Sequence, residues 1–537
     1  MSAPSPAKPP RILIVTPEIT HLPQALGPGA GLIRAKAGGL ADATAALVSG
    51  LVDLGAEVHV AMPNFRRLFQ RDHLGRLPDE VINSSVHPHD QRIHLADDYA
   101  FHNLGRVYSD NPHECLHTAL VFQREVMQQI IPKVQPDIIH CNDWMTGLIP
   151  AMAKRRGIKC LFTLHNIHSR DITLEAMEAA GIGAADFWNQ LYFVRPPGQY
   201  HQCRSTVPVH MLGTGVYAAD HLTTVSPGFL QELADGKHHG GAFLRGEICQ
   251  KMAAGRASGV LNSPDPSYDP ESDPSLEVTY SDHDHVQGKA ANKLALQREL
   301  GLEEDPDAAI FFWPSRLDPI QKGPQLLCDI LQRTVSDYWD RKLQIVVVAD
   351  GPHQHLLHHI NNYHHLHRRV AIRDFDERLA RLAFAGSDYM LMPSLFEPCG
   401  LPQMIAPLYG CLPIVHATGG LRDTVRRLDS ENSLGNGFSF EDPNAAGFRW
   451  AIDEAMWFHL QPKEIREREI TRIMRQSRSE FDPARFTAGY VELYERLLDR
   501  PVVAPTLDEV IAEPEPRPAA KPVLPKAALA TRSRPAA

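Results

Sequence analysis

From Arg11 onward the chain alternates short apolar runs with longer stretches in which apolar residues recur at helical spacing. Arg11-Ile-Leu-Ile-Val-Thr16 predicts a buried strand ended by Pro17, residues 38–55 predict a helix, and Glu57-Val-His-Val-Ala-Met62 predicts a second strand stopped by Pro63. Further strands are predicted at Asp137–Cys141, Cys160–Leu164 and Leu222–Val225. A stretch rich in Pro, Ser and Asp (residues 263–285) interrupts the pattern. The alternation then restarts, with strands predicted at Ala309–Trp313, Leu343–Ala349, Asp388–Met392 and Leu412–Val415. Continuous apolar strands alternating with helices are the mark of parallel sheets covered on both faces. The pattern therefore predicts an α/β protein of two Rossmann-like, doubly wound domains facing across a cleft, with ligands at the carboxyl ends of the strands.

The expected layout is a flexible N-terminus (1–10), a first domain (11–262), a boundary (263–285), a second domain (286–482), a final helix (483–500) and a tail (501–537). The tail holds eight prolines and no aromatic residue, so it has little to bury and is expected to be disordered.

Composition narrows the function classes. The 537 residues suffice for two to four domains at roughly 150 residues each. Lys+Arg is 54 and Asp+Glu is 64, a net charge of −10, which argues against a protein built to grip nucleic-acid backbone. The eight cysteines include no CxxC pair, so neither a zinc knuckle nor a thioredoxin-type site is expected. The start, MSAPSPAKPP, lacks the apolar core of a signal peptide. The uncharged run 398–421 carries four prolines and four glycines, which suits loops better than a spanning helix. A cytoplasmic protein with reduced thiols is expected.

Candidate chemistry clusters after the predicted strands. Lys36-Ala-Gly-Gly-Leu-Ala-Asp42 opens a helix, and its glycines let backbone N–H groups approach an anion at the positive end of the helix dipole. Pro314-Ser-Arg316-Leu-Asp-Pro-Ile-Gln-Lys322-Gly323 puts two cations after a strand, suited to clamping a diphosphate. Pro393-Ser-Leu-Phe-Glu397-Pro-Cys-Gly400-Leu401 places a hydroxyl acceptor beside a Gly-containing helix start, and Thr418-Gly419-Gly-Leu-Arg-Asp-Thr-Val425 supplies another. In the first domain, His140-Cys-Asn-Asp143-Trp144 and Leu164-His165-Asn166 follow successive strands, where His and Asp can bond sugar hydroxyls and Trp can stack on a sugar face. Taken singly, each of these is more often a solvated loop or a satisfied core residue. Seven histidines between His353 and His367 include the i,i+4 pair His355/His359, but no acid or cysteine interleaves them. They read as a solvated helix face, so no metal is expected.

Together and in order, these motifs resemble the bacterial glycogen synthases and plant starch synthases from about Arg11 to about Leu498. The resemblance rests on K-A-G-G-L-A-D (36–42), H-C-N-D-W (140–144), H-N (165–166), T-V-S-P (224–227), S-R-L…Q-K-G (315–323), E-P-C-G-L (397–401) and T-G-G-L-R-D-T-V (418–425). It implies a GT-B fold whose final helix crosses back onto the first domain. It also implies transfer of glucose from ADP-glucose to the non-reducing end of an α-1,4-glucan with retention, with no cofactor. By matched position, Lys36 and the Gly38 and Gly39 amides contact the nucleotide sugar, and Arg316 and Lys322 neutralise the leaving diphosphate. Glu397 with the Gly400 and Leu401 amides holds glucose and the distal phosphate, His165 reaches the glucose hydroxyls, and Asp143 lines the acceptor side. Asp42, Trp144, Thr418 and Gly419 belong to the same substrate-binding motifs.

Four departures qualify that picture. About ten extra residues between Glu18 and Lys36, including Gly27, Gly29 and Gly31, are expected to form a mobile lid. Pro402 removes one N–H after E-P-C-G-L. The segment His210–Val216 lacks a lysine often found there, and Ile405 stands where related retaining transferases carry a second glutamate. Two alternatives stay open: a UDP-glucose or small-acceptor transferase of the same fold, and a catalytically weak glucan-binding regulatory paralogue.

Overall fold

The computed structural model describes residues 8–27, 29–69 and 92–503. Two parallel sheets form its frame. The first holds β1 (Arg11–Val15), β2 (Glu57–Pro63), β3 (Ile93–Ala96), β4 (Ile138–Asn142), β5 (Lys159–Leu164), β6 (His221–Thr224) and β7 (Ala257–Gly259), in the order 3-2-1-4-5-6-7. The second holds β8 (Ile310–Trp313), β9 (Gln344–Val348), β10 (Val370–Arg373), β11 (Tyr389–Met392), β12 (Leu412–His416) and β13 (Phe438–Phe440), in the order 10-9-8-11-12-13. Every pairing within the two sheets is parallel. Strand order reverses between β1 and β4 in one sheet and between β8 and β11 in the other, which opens a crevice at the carboxyl ends of each.

The alternation in β8 shows why these strands read as unbroken apolar runs. Phe311 and Trp313 enter one hydrophobic cluster while Ile310 and Phe312 enter another on the opposite face of the sheet. Both faces are covered, so neither parity of side chain meets water.

The segment 263–284 has neither helix nor strand, yet it is pinned to the second sheet's domain. Tyr280 donates its hydroxyl to the Tyr409 carbonyl (2.8 Å), buried Asp273 accepts from Tyr409 Oη (2.6 Å), and Arg381 lies over the Tyr268 ring. The helix Pro483–Leu498 returns to the first sheet: Phe486, Tyr490, Leu493 and Tyr494 join its core. Its crossing with the helix Gly39–Asp53 is close, because a Cβ on Gly50 would lie 2.1 Å from Thr487 Oγ1.

The expectation of a mobile lid is corrected by the packing. The excursion between Glu18 and Lys36 does not stand off as a lid: Leu22, Leu26, Ala30 and Ile33 are buried in the first core, and Ile19 and Ala35 close its ends as an antiparallel bridge. The tail's first residues are anchored, since Val502 is buried and its N–H reaches Glu495; residues 504–537 lie outside the described residues, as do 1–7. The helix Gln354–Tyr363 turns His355, His358 and His359 to solvent. No helix among the described residues is long and apolar enough to cross a membrane.

Candidate active site

Every motif singled out above leaves the carboxyl end of a strand. In the second domain the loop after β8 runs from Ser315 to Gly323, where a left-handed φ of +67° turns the chain into the helix Pro324–Asp337. A Cβ on Gly323 would sit 2.4 Å from the Pro393 carbonyl oxygen, so glycine lets the β8 and β11 loops touch. That contact brings Lys322 Nζ within 2.5 Å of Glu397 Oε2. Ser394 Oγ donates to the same oxygen at 3.1 Å, and among the described residues Oε1 has no hydrogen-bond partner. Glu397 is 6 % exposed. Arg316 is exposed and makes no ion pair among the described residues.

Gly400 adopts φ +80° ahead of the helix Pro402–Leu408. The N–H groups of Gly400 and Leu401 find no acceptor among the described residues, so both remain available to an anion. Pro402 occupies the first helical position, where the missing N–H costs the fold nothing. Ile405 packs into the core. The Thr418–Gly419 turn is differently placed. Gly419 N–H donates to Glu232 Oε1 (2.9 Å) and Thr418 Oγ1 lies 3.2 Å from the same carboxylate, which belongs to the first domain. Gly420 N–H donates to the Glu397 carbonyl at 3.0 Å.

In the first domain Lys36 is exposed and pairs with Asp42 (2.9 Å), which also accepts from Thr20 Oγ1. The N–H groups of Ala37 and Gly38 already donate to Glu18 Oε2 (2.5 and 2.9 Å), and Tyr108 Oη reaches Glu18 Oε1 at 3.1 Å. Burial pushes the Glu18 carboxyl pKa up, and the two loop N–H groups pull it back. Among the described residues the Gly39 N–H has no acceptor, and a Cβ on Gly38 or Gly39 would meet nothing within 4 Å.

After β4, Asp143 holds φ +55°, an uncommon conformation for a residue with a side chain. It is kept there by contacts: Asp143 Oδ1 accepts from His165 N–H (2.8 Å) and Oδ2 accepts from Asn166 Nδ2 (2.9 Å). Burial raises its pKa to about 8. With both oxygens spent, Asp143 ties the β4 and β5 loops together and does not face the cleft as an open acid. Trp144 is buried in the first core and shows no ring face to a sugar.

Asn142 Nδ2 donates to the Val15 carbonyl, so its Oδ1 faces His165 Nε2 at 2.9 Å. Burial holds the His165 imidazole neutral, with a pKa of about 3. The proton therefore sits on Nε2 and Nδ1 is left as an acceptor. His140 serves the fold instead. Its two ring nitrogens meet Tyr494 Oη (2.7 Å) and Thr163 Oγ1 (2.6 Å), which fastens the returning helix.

The structure thus joins Lys322 directly to Glu397, and Glu397 to the Thr418–Gly420 turn, while His165 and Asp143 share a separate cluster. Glu18, Asn142, Ser394 and Glu232 are the partners that sequence reasoning missed. Glu18 had a usable signal, a carboxylate just past β1; Glu232, an acid within a helix, had none.

Two doubly wound domains that present cations, a buried carboxylate and backbone amides at their strand ends share the fold of GT-B glycosyltransferases. Residues 11–245 match the starch synthase catalytic domain, and residues 308–456 match the glycosyl transferases group 1. The glycogen synthase of Exiguobacterium sibiricum is 32% identical over 463 residues, covering 80% of this chain and 90% of the relative. That of Moorella thermoacetica is 32% identical over 520 residues, covering 92% and 98%. The catalytic domain of starch synthase IV from Arabidopsis thaliana, solved bound to ADP and acarbose, superposes with a TM-score of 0.71 at 25% identity, covering 92% of this chain and all of that one. Sucrose-phosphate synthase from Thermosynechococcus elongatus shares the fold at a TM-score of 0.55 and 16% identity. The chain belongs to the glycogen and starch synthase family, and it is a glucosyltransferase acting with a nucleotide-sugar donor and a glucan acceptor.

Proposed function

We propose that this enzyme takes ADP-glucose as donor and extends the non-reducing end of an α-1,4-glucan in the cytoplasm, with retention of configuration. The observation that carries the reading is the Lys322–Glu397 pair beside the partnerless Gly400 and Leu401 N–H groups and the unpaired Arg316. ADP in the similar starch synthase IV structure supports adenine as the base. Eight unpaired cysteines, seven of them buried, support a reducing compartment.

In this reading the bond between glucose C1 and the phosphate oxygen breaks, and its electron pair leaves with the diphosphate. Arg316, Lys322 and the two amides stabilise that charge. Lys322 has three N–H donors, so it can serve the phosphate while still holding Glu397. The acceptor hydroxyl attacks C1 on the face the diphosphate leaves, and its proton passes to the departing phosphate oxygen. Glu397 Oε1 accepts from a glucose hydroxyl, as does the neutral His165 through Nδ1. Lys36, Asp42 and the Gly39 N–H close the donor from the other side, with Gly38 leaving room for the approach. Asp143 and Trp144 act behind this surface by fixing the loops, and Thr418 and Gly419 act through the Glu397 backbone. The acceptor glucan runs toward a cavity of about 490 Å³ whose lining begins at Ser169, four residues after His165; Tyr192 and Phe243 offer ring faces and Arg170 and Asp171 offer polar groups.

Side-by-side incubation of the enzyme and glycogen with radiolabelled ADP-glucose or UDP-glucose tests this. Label entering glycogen from ADP-glucose is the expected result. Label from UDP-glucose alone would overturn the donor assignment, and none from either would favour the regulatory paralogue.

A further inference from the structure

The six-residue helix Gly419–Thr424 lacks a cap from its own sequence, because Thr418 makes no side-chain bond to the helix start. The acceptor comes from the other domain. Glu232, on the helix Pro227–Asp235, receives the Gly419 N–H at 2.9 Å and the Thr418 hydroxyl. The arrangement is reciprocal: Asp423 at the far end of the short helix receives the Gly228 N–H at 2.7 Å. There is no slack between the helices, since a Cβ on Gly228 would sit 2.6 Å from the Gly419 carbonyl oxygen.

Two routes lead from Glu232 to Glu397. Along the backbone, a Cβ on Gly419 would lie 2.1 Å from the Glu397 carbonyl oxygen, and Gly420 N–H donates to that same oxygen at 3.0 Å. Through side chains, Glu232 Oε2 meets His238 Nε2 at 3.1 Å, and the His238 ring stands edge-on to Phe396, the residue before Glu397, with centroids 6.0 Å apart. Glu232 and His238 are both at most 8 % exposed, so neither carboxylate nor ring is spent on solvent. A buried acid costs stability unless it is fully bonded, and this one is bonded only to groups that fix residues 396–420.

We propose that Glu232 is a positioning residue for glucosyl transfer: it holds the Thr418–Gly420 turn, and through it Glu397, in the geometry that transfer requires. Because Glu232 and Glu397 belong to different domains, the support that Glu232 adds to Lys322 and Ser394 in placing that carboxylate is present only when the domains meet. Cleft closure and completion of the site become one event. This rests on Glu397 serving at the glucose, and the test separates the two claims.

The experiment is a double-mutant cycle on the full chain, reading kcat and donor KM in glycogen extension together with the thermal midpoint. Glu232→Leu is expected to lower kcat by about 10- to 100-fold with donor KM changed less than about threefold, as a misplacement of order 1 Å would. Glu232→Gln, which keeps an oxygen for Gly419 N–H, is expected to stay within about threefold of wild type. Adding Glu232→Leu to Glu397→Ala is expected to cost nothing further, because the group being positioned is gone. If Glu232→Leu does not fold, Glu232→Asp serves in its place: it keeps the charge, shortens the reach by one methylene, and is expected to lower kcat at least about fivefold. A leucine variant with wild-type kcat, a loss that multiplies fully with Glu397→Ala, or an aspartate variant within twofold of wild type would each overturn the proposal. Wild-type activity in Glu397→Ala alone would instead overturn the role given to Glu397.

Discussion

Two Gly-Gly pairs open helices on opposite sides of the cleft, and the structure treats them in opposite ways. Gly419 and Gly420 are demanded by the fold: Gly419 has φ +43°, and Cβ atoms at the two positions would lie 2.1 Å from the Glu397 carbonyl oxygen and 2.3 Å from the Cys399 carbonyl oxygen. Gly38 and Gly39 are demanded by no contact among the described residues. Neither has a positive φ, and a Cβ on either would point into open space. The same two letters mark a packing requirement in one place and a free surface in the other. Only the second leaves room for a ligand to approach the backbone.

The occupancy of nearby N–H groups sharpens the contrast. Gly419 N–H is taken by Glu232, so that turn is a structural support for Glu397. Gly39 N–H is unspent, and so are those of Gly400 and Leu401. The proposed anion-facing surface therefore combines the Gly39 amide of the first domain with the E-P-C-G-L loop of the second, and the T-G-G turn stands behind it.

The largest effect is expected at Lys322. Replacement by alanine removes a cation from the leaving diphosphate and leaves Glu397 with Ser394 alone, so kcat is expected to fall about a thousandfold in glycogen extension. Next comes Gly420→Ala, where the new methyl must displace backbone. It is expected to destabilise by about 2–3 kcal/mol, read as a thermal midpoint lowered by roughly 5 °C. If Gly420→Ala were as stable as wild type, the distinction between the two pairs would fail.

A smaller, pH-dependent effect is expected at Asp143. Its folded pKa of about 8 lies above the ordinary value of 3.8, so the folded state holds the proton more tightly than the unfolded chain does. Its contribution is fully present below pH 3.8 and is lost as the pH rises toward 8. The advantage in thermal midpoint of wild type over Asp143→Asn should accordingly shrink between about pH 5 and about pH 8. An advantage that grew over that range would contradict the assignment.

How much of this was legible in the sequence follows from burial. All nine interior strands of the two sheets were predicted, because both of their faces are covered and they read as apolar runs. The four that were missed, Ile93–Ala96, Ala257–Gly259, Val370–Arg373 and Phe438–Phe440, are the four sheet edges. Ala257–Gly259 and Phe438–Phe440 are only three residues long, and Ile93–Ala96 and Val370–Arg373 each carry a His or Arg among four residues. At the site, strand-end residues could be nominated because ligands of such sheets gather at the carboxyl ends of the strands. What spacing does not encode is which amides are already spoken for. Glu18 and Glu232 claim theirs across 20 and 187 residues of chain, so two of the expected anion contacts, at Gly38 and Gly419, were invisible as occupied. The burial of Trp144 and of the Asp143 carboxylate is likewise tertiary.

The most direct measurement of the central contrast is made on Gly39→Ala, taking the thermal midpoint of the free protein and the affinity for ADP by calorimetry on the same preparation. The account predicts stability within about 0.5 kcal/mol of wild type and an ADP affinity weakened about tenfold, or about 1.4 kcal/mol. A protein that is destabilised but binds ADP as well as wild type would contradict it.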